Sequence, residues 1–222
     1  VPRPGVAVHI NAFNFPAWGI AEKLAVAFLA GMPVLTKPAT ATALTSHRLV
    51  EAFVATGALP PHTLGFLCGS PGDLIDHCRF GDVLAFTGSS GLGQRLKREL
   101  IPSGILVNVE ADSLNAAVLG PDIEPGDDVW DLFIRDVFRD MTQKTGQKCT
   151  AIRRILVPEA LADEVAEALI DTASRLKIGN PESGEARMGP VVSKQQLDDV
   201  TEGIARLKGS VEQIYGSGRP KT

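Results

Sequence analysis

The chain has 222 residues, 44% hydrophobic and 22% charged, the make-up of a water-soluble globular protein rather than a disordered or fibrous one. Its net charge of −4 comes from basic and acidic residues mixed along the chain, which gives no cationic run for nucleic acid or an anionic membrane surface. The longest apolar stretch, Ala25–Pro33, is ended by a Gly and a Pro and is too short to span a bilayer.

Strand-like apolar runs and helical segments then alternate along the first half. The strands are expected at Val6–Ile10, Val34–Lys37, Leu64–Cys68, Val83–Phe86 and Leu106–Val109. The helices between them are expected at Ala17–Ala30, Ala43–Thr56, Gly72–Arg79 and Leu92–Leu100, with Gly31 and Gly57 placed as C-caps. Strand, helix, strand in repetition predicts a parallel sheet with helices on its faces, and continuous apolar strands predict burial of both faces. A second block begins near Asp112. It holds a strand at Asn115–Leu119, an acidic loop at Pro121–Asp128 and a helix at Trp130–Met141. A polar stretch, Thr142–Lys148, leads to a strand at Ala151–Val157 and helices at Pro158–Leu176 and Ser193–Lys208. Two α/β lobes joined close to Glu110–Ser113 fit this pattern better than one. The non-Met start at Val1 and the loop-like Gly216–Pro220 read as ends cut from a longer protein.

Five places in this pattern are candidates for chemistry. Cys68, Cys78 and Cys149 are odd in number and match no zinc spacing, so free thiols of a reducing cytoplasm are expected and no metal site is. Cys68 and Cys78 read as core filler. Cys149 follows a flexible polar approach, with Lys148, Arg153 and Arg154 near enough to favour a thiolate, although most single cysteines are inert. Glu110 ends an apolar strand, where α/β enzymes place functional groups; a solvated strand end is the plain alternative. Asn14 stands between the first strand and first helix, as an oxyanion donor or as an ordinary cap of a helix beginning at Pro16. The loop Phe86-Thr-Gly88-Ser89-Ser-Gly-Leu-Gly93 follows a strand and opens a helix, the setting for a phosphate, without the usual dinucleotide glycine spacing. Lys37 ends the second strand, where it meets a ribose or phosphate or is simply solvated. His9, His47, His62 and His77 are scattered, without a nearby carboxylate pattern, and read as structural or surface residues.

Taken in order, Asn14-Phe-Pro16, Lys23, Lys37-Pro38, Phe86-Thr-Gly-Ser89 with Gly93, Glu110 and Gly146-Gln-Lys-Cys149 resemble the aldehyde dehydrogenase superfamily. The resemblance runs across nearly the whole chain. It implies a Rossmann-like parallel-sheet dinucleotide-binding domain over residues 1–111 and the first part of an α/β catalytic domain over residues 112–222, an aldehyde dehydrogenase fold fragment. It also implies Cys149 as nucleophile, with the oxyanion held by Asn14 and the Cys149 N–H, and Glu110 as the base that activates water. Lys23 takes the place of the family's lysine near the Asn and cofactor. Gly88, Ser89 and Gly93 belong to the pyrophosphate loop, and Lys37 to the adenosine ribose.

Two departures stand out. The family's glycine pair after the general base is replaced by Ala111-Asp-Ser-Leu-Asn115, and Thr40 stands where many NAD-preferring members carry a Glu. That Glu would repel a 2′-phosphate; without it NADP is expected as the preferred cofactor, with NAD possible. The phrases His9-Ile-Asn-Ala-Phe-Asn-Phe-Pro16 and Gly146-Gln-Lys-Cys-Thr-Ala-Ile-Arg-Arg154 look like the phenylacetate-degradation branch, whose dehydrogenase domain is fused to an enoyl-CoA hydratase domain. A sister branch of benzoate degradation shares these phrases, and the sequence does not separate the two. The substrate implied in either is a small-molecule aldehyde carried as a CoA thioester, in a cytoplasmic homo-oligomer. The chain covers only the middle of such an enzyme and is expected to be inactive or nearly so by itself. Two other readings stay open: a CoA-acylating aldehyde dehydrogenase, which does not need a base at Glu110, and a nucleotide-binding fragment without catalysis.

Overall fold

The computed structural model describes residues 1–216; part of the loop expected at Gly216–Pro220 therefore lies outside the described residues. The chain forms two compact units, Val1–Asp112 and a second that begins at Ser113.

The first unit is built on five strands: β1 (Ala7–Ile10), β2 (Val34–Lys37), β3 (Leu64–Phe66), β4 (Val83–Gly88) and β5 (Leu106–Ala111). They form one sheet in the order β3-β2-β1-β4-β5, with every neighbouring pair parallel. Parallel neighbours need crossovers, and three helices supply them: α1 (Trp18–Leu29), α2 (Ala43–Ala55) and α3 (Ser90–Leu100). One face buries Ala7, Val34 and Met32 against Leu24 and Ala27 of α1, with Phe53 of α2 at its margin. The other buries Val8, Leu84 and Phe86 against Leu96 and Leu100 of α3. Alternate residues of β1 therefore serve opposite layers, as the two-residue period of a strand requires. The strand order reverses between β1 and β4, and the crevice beyond the C-terminal ends of these two strands is where open α/β sheets take their ligands.

The second unit contains β6 (Asn115–Val118), α4 (Asp128–Thr142), β7 (Ile152–Leu156), α5 (Ala162–Ser174) and α6 (Lys194–Leu207). Strands β6 and β7 pair in parallel. Trp130 and Ile134 of α4 pack with Val165 of α5 and with Leu119, which makes this unit's core. Among the described residues no helix is long and apolar enough to cross a membrane, and no cluster of His, Cys, Asp and Glu is suited to a metal ion.

Several local expectations need correction. The helix expected at Gly72–Arg79 is a single 3-10 turn, Leu74–His77. Gly69 and Gly72 both have positive φ, which leaves too few residues for an α-helix to nucleate there. Strand β5 is not buried on both faces: Leu106, Asn108 and Glu110 are exposed, because β5 is the edge of the sheet and only Val107 and Val109 pack inward. Cys68 is exposed rather than core, since β3 stops at Phe66. Two histidines do have carboxylate neighbours one helical turn away, His47 with Glu51 and His77 with Asp73. The C-caps hold: Gly31 and Gly57 follow α1 and α2 with φ of 73° and 68°.

Candidate active site

Four of the first unit's expected site residues come from the same edge of the sheet. Register pairs Ile10 of β1 with Lys37 of β2 and with Phe86 of β4, and pairs Thr87 with Glu110 one step further along. Lys37, Glu110 and the Gly88-Ser89 loop therefore sit at the C-terminal ends of adjacent parallel strands, beside the turn that carries Asn14. Asn14 is partly buried and does not occupy the N-cap of the helix; α1 starts at Trp18 with Ala17 in the cap position, because Pro16 and Ala17 still belong to the turn.

Beneath α1 lies a layer of polar side chains that the sequence reading passed over. Thr36, His9, Ala85 and Asn108 stand in register across β2, β1, β4 and β5. Asn11 follows on the same face and donates from Nδ2 to Thr36 Oγ1 at 2.9 Å. His9 and Asn11 are 2% and 4% exposed, and His9 Nδ1 and Asn11 Oδ1 are buried without a hydrogen-bond partner. Lys23 enters this layer from α1, with Nζ 3.4 Å from the Gly19 carbonyl and 3.5 Å from Glu22 Oε1. Burial holds the Lys23 ammonium below its ordinary range, while Glu22 first and then Glu110 act to raise it. Burial, and then the Lys23 charge, push the His9 imidazole down to about 4. Lys23 thus feels the Glu110 charge, a proximity that the spacing of 87 residues in sequence hides.

The loop after β4 is shaped by close packing. A Cβ on Gly93 would lie 2.5 Å from Val109 Cγ1, and one on Gly88 would lie 2.5 Å from Phe86 Cζ. Only glycine lets α3 press this closely on β5. Ser89 is the N-cap of α3, and a Cβ on Gly91 would meet nothing within 4 Å. These N-terminal amides and the open space beside them fit a phosphate group. One amide is already engaged: Asp112 accepts from Ser90 N at 3.0 Å and from Ser90 Oγ, which holds its carboxyl below the usual carboxylate range. Lys37 is buried, and its Nζ donates to the neighbouring Pro38 carbonyl at 3.0 Å. Thr40 is exposed and begins the 3-10 turn Thr40–Thr42. A ribose-binding carboxylate is absent from that turn.

In the second unit, Cys149 is exposed on a turn between α4 and β7. The approach to it is not the flexible stretch expected. It is a 3-10 turn, Gln143–Gly146, in which Lys144 and Thr145 both adopt left-handed conformations, with φ of 51° and 59°. A β-branched residue rarely takes this conformation, and strain of this kind persists only when the surroundings enforce it. Here Thr145 Oγ1 donates to the Gly189 carbonyl at 3.0 Å, and Gln147 Oε1 accepts from Val192 N at 2.9 Å. Lys148 Nζ is bound to Asp140 and to Gln143 Oε1, and Asp140 also accepts from Ile152 N at 2.8 Å. The cation that senses Cys149 is Lys144, which burial and Lys148 hold down and the Cys149 charge raises. Arg153 donates to the carbonyls of Gly146 at 2.8 Å and Lys148 at 3.2 Å. Ser113 Oγ and Asn115 Nδ2 both donate to the Cys149 carbonyl, the latter at 2.9 Å. The sequence carried a signal for this group, the Asp-Ser-Leu-Asn stretch in place of a glycine pair and the adjacent charges of Arg153-Arg154 inside a strand.

Comparison with known proteins agrees with this architecture. The profile of the Aldehyde dehydrogenase family matches residues 1–222. The chain is 47% identical to the 3,4-dehydroadipyl-CoA semialdehyde dehydrogenase of Aromatoleum evansii, over 97% of this chain and 42% of that protein. Betaine aldehyde dehydrogenase from Staphylococcus aureus in complex with NAD+ superposes with a TM-score of 0.89 at 25% identity, covering 98% of this chain and 43% of the other. A variant of proline utilization A from Bradyrhizobium japonicum gives 0.88 at 25% identity, covering 100% of this chain and 23% of the other. The chain thus spans less than half the length of these relatives. With the fold, the profile and the 47% relative in agreement, the chain belongs to the aldehyde dehydrogenase family.

Proposed function

We propose that this chain carries the dinucleotide site and the nucleophile of an enzyme that oxidises a CoA-linked semialdehyde to its carboxylic acid. The observation that carries the reading is the convergence of Lys23, Glu110 and the Asn14 turn at the C-terminal edge of a doubly wound parallel sheet, beside the N-terminus of α3. The substrate class rests on the 47% identity to a dehydrogenase whose name specifies 3,4-dehydroadipyl-CoA semialdehyde.

In this reading the Cys149 thiolate adds to the aldehyde carbon, and the carbonyl oxygen becomes an oxyanion. The family resemblance assigns the Asn14 amide and the Cys149 N–H as the donors to that oxygen. The dinucleotide, when bound, supplies the hydride acceptor. The acyl group then remains on Cys149 as a thioester. Glu110 takes a proton from water, whose oxygen attacks the thioester carbon and releases the acid and the thiol. The Gly88-Ser89 loop and Gly93 would hold the cofactor's phosphates, and Lys37 and Thr40 would meet its adenosine ribose. Thr40 brings no negative charge to a 2′-phosphate, which supports NADP as the preferred cofactor, with NAD, the ligand of the Staphylococcus aureus relative, as the second.

The Glu110→Gln variant tests the role of the base and separates hydrolysis from transfer to CoA. Rapid mixing with aldehyde and NADP is expected to give one equivalent of reduced cofactor and then little turnover. A steady rate equal to the parent's removes Glu110 from the mechanism. Turnover restored by free CoA points to the acylating reaction instead.

A further inference from the structure

The carbonyl groups of a turn are normally left to water. Around Cys149 they are taken by side chains from two strands. Strands β6 and β7 change register at one point: Asn115 pairs with Ile152, but Ala116 pairs with Arg154. Arg153 is the extra residue, and an irregularity of this kind re-aims the side chains beside it. Arg153 reaches back to the Gly146 and Lys148 carbonyls. On the opposite strand, Asn115 Nδ2 lies 2.9 Å from the Cys149 carbonyl, 3.3 Å from the Ala151 carbonyl and 2.9 Å from Ser113 Oγ. The Ser113 hydroxyl donates to the same Cys149 carbonyl. A carbonyl oxygen has two lone pairs, so both acceptor positions on the nucleophile's own carbonyl are filled.

We propose that Ser113 and Asn115, with Arg153 on the bulge of β7, are positioning residues that fix the backbone of residues 146–149 and so aim the Cys149 thiol and N–H. The proposal rests on the reading of Cys149 as nucleophile. The chemistry needs this rigidity because a thiol on a loose turn samples many directions, and productive attack requires the reacting atoms held near 3 Å in the correct alignment, to about 1 Å. The segment that supplies the two donors is the one that replaces the family's glycine pair, and a glycine at position 113 has no hydroxyl to offer.

The test uses the purified whole protein, with hexanal and NADP as probes, and four variants: Ser113→Ala, Ser113→Thr, Asn115→Asp and Cys149→Ala. Asn115→Asp keeps the side-chain shape but turns the donor into an acceptor. We expect Ser113→Ala and Asn115→Asp each to lower kcat about tenfold, with the KM for NADP unchanged within about twofold, and Ser113→Thr to restore kcat. A kcat within twofold of the parent in both loss variants overturns the proposal. So does a fall in kcat that Ser113→Thr fails to restore, or one matched by a rise in the KM for NADP, since either marks general disruption. Turnover by Cys149→Ala strikes the underlying nucleophile assignment instead, which keeps the two failures apart.

Discussion

Burial of His9 makes a quantitative prediction about acid stability. The imidazole is 2% exposed beneath α1, faces the Lys23 ammonium, and is pushed down to about 4 by burial and then by that charge. In the unfolded chain the same group titrates at about 6.5. Above that pH both states are neutral at this position, and His9 adds no pH dependence. Between about pH 6.5 and 4 the unfolded chain binds a proton that the folded chain refuses, so stability falls with falling pH by about 1.4 kcal/mol per pH unit. The loss reaches about 2 kcal/mol at pH 5 and about 3 kcal/mol near pH 4, and then levels off. Replacing His9 with Gln removes the titration and keeps a polar side chain of similar size. Urea denaturation of both proteins at pH 7.5 and pH 5 isolates the effect, because the carboxylates are common to both. The parent's advantage over His9→Gln is expected to shrink by about 2 kcal/mol on going to pH 5. An unchanged difference between the two pH values refutes the assignment of a buried neutral imidazole beside Lys23.

Gly93→Ala places a methyl group 2.5 Å from Val109 Cγ1, and the overpacking of about 1–3 kcal/mol outweighs the gain of about 1 kcal/mol in helix propensity. A lowered urea midpoint is expected; an equal or higher one shows that α3 moves freely off β5. Asp140→Ala removes the acceptor shared by Lys148 Nζ and Ile152 N and is expected to cost about 1–3 kcal/mol, with Asp140→Asn costing less, as chemical denaturation reads directly. For Thr40→Glu, a carboxylate at the start of the 3-10 turn repels a 2′-phosphate, so the KM for NADP is expected to rise about tenfold, equivalent to about 1.4 kcal/mol, while NAD use improves. Unaltered cofactor preference in that variant removes position 40 from cofactor recognition.

Much of the fold was legible because it is a matter of period and punctuation. The apolar runs that became β1, β2 and β4 serve two layers, so they had to be apolar throughout, and Gly31 and Gly57 had to end their helices because the chain turns there with positive φ. Asn14, Glu110 and Cys149 could be named as candidates because each stands in a short local phrase. What only the tertiary structure decided lies across the sheet or across a turn. Glu110 sits on an edge strand and acts on Lys23 because β5 falls where it does in the strand order, which no local pattern encodes. His9 and Asn11 occupy a buried polar layer because the pleat turns them toward α1, and a strand of mixed residues cannot announce which face will be covered. The partners around Cys149 were hidden for the same reason. Sequence proximity suggested Lys148, Arg153 and Arg154 as charges near it; the fold engages Lys148 with Asp140, and Arg153 and Arg154 with backbone carbonyls, while Lys144 on a left-handed turn feels the Cys149 charge. Local sequence fixes which chemistry a side chain has; the partners that orient it are set by distances that close only when strands and helices pack.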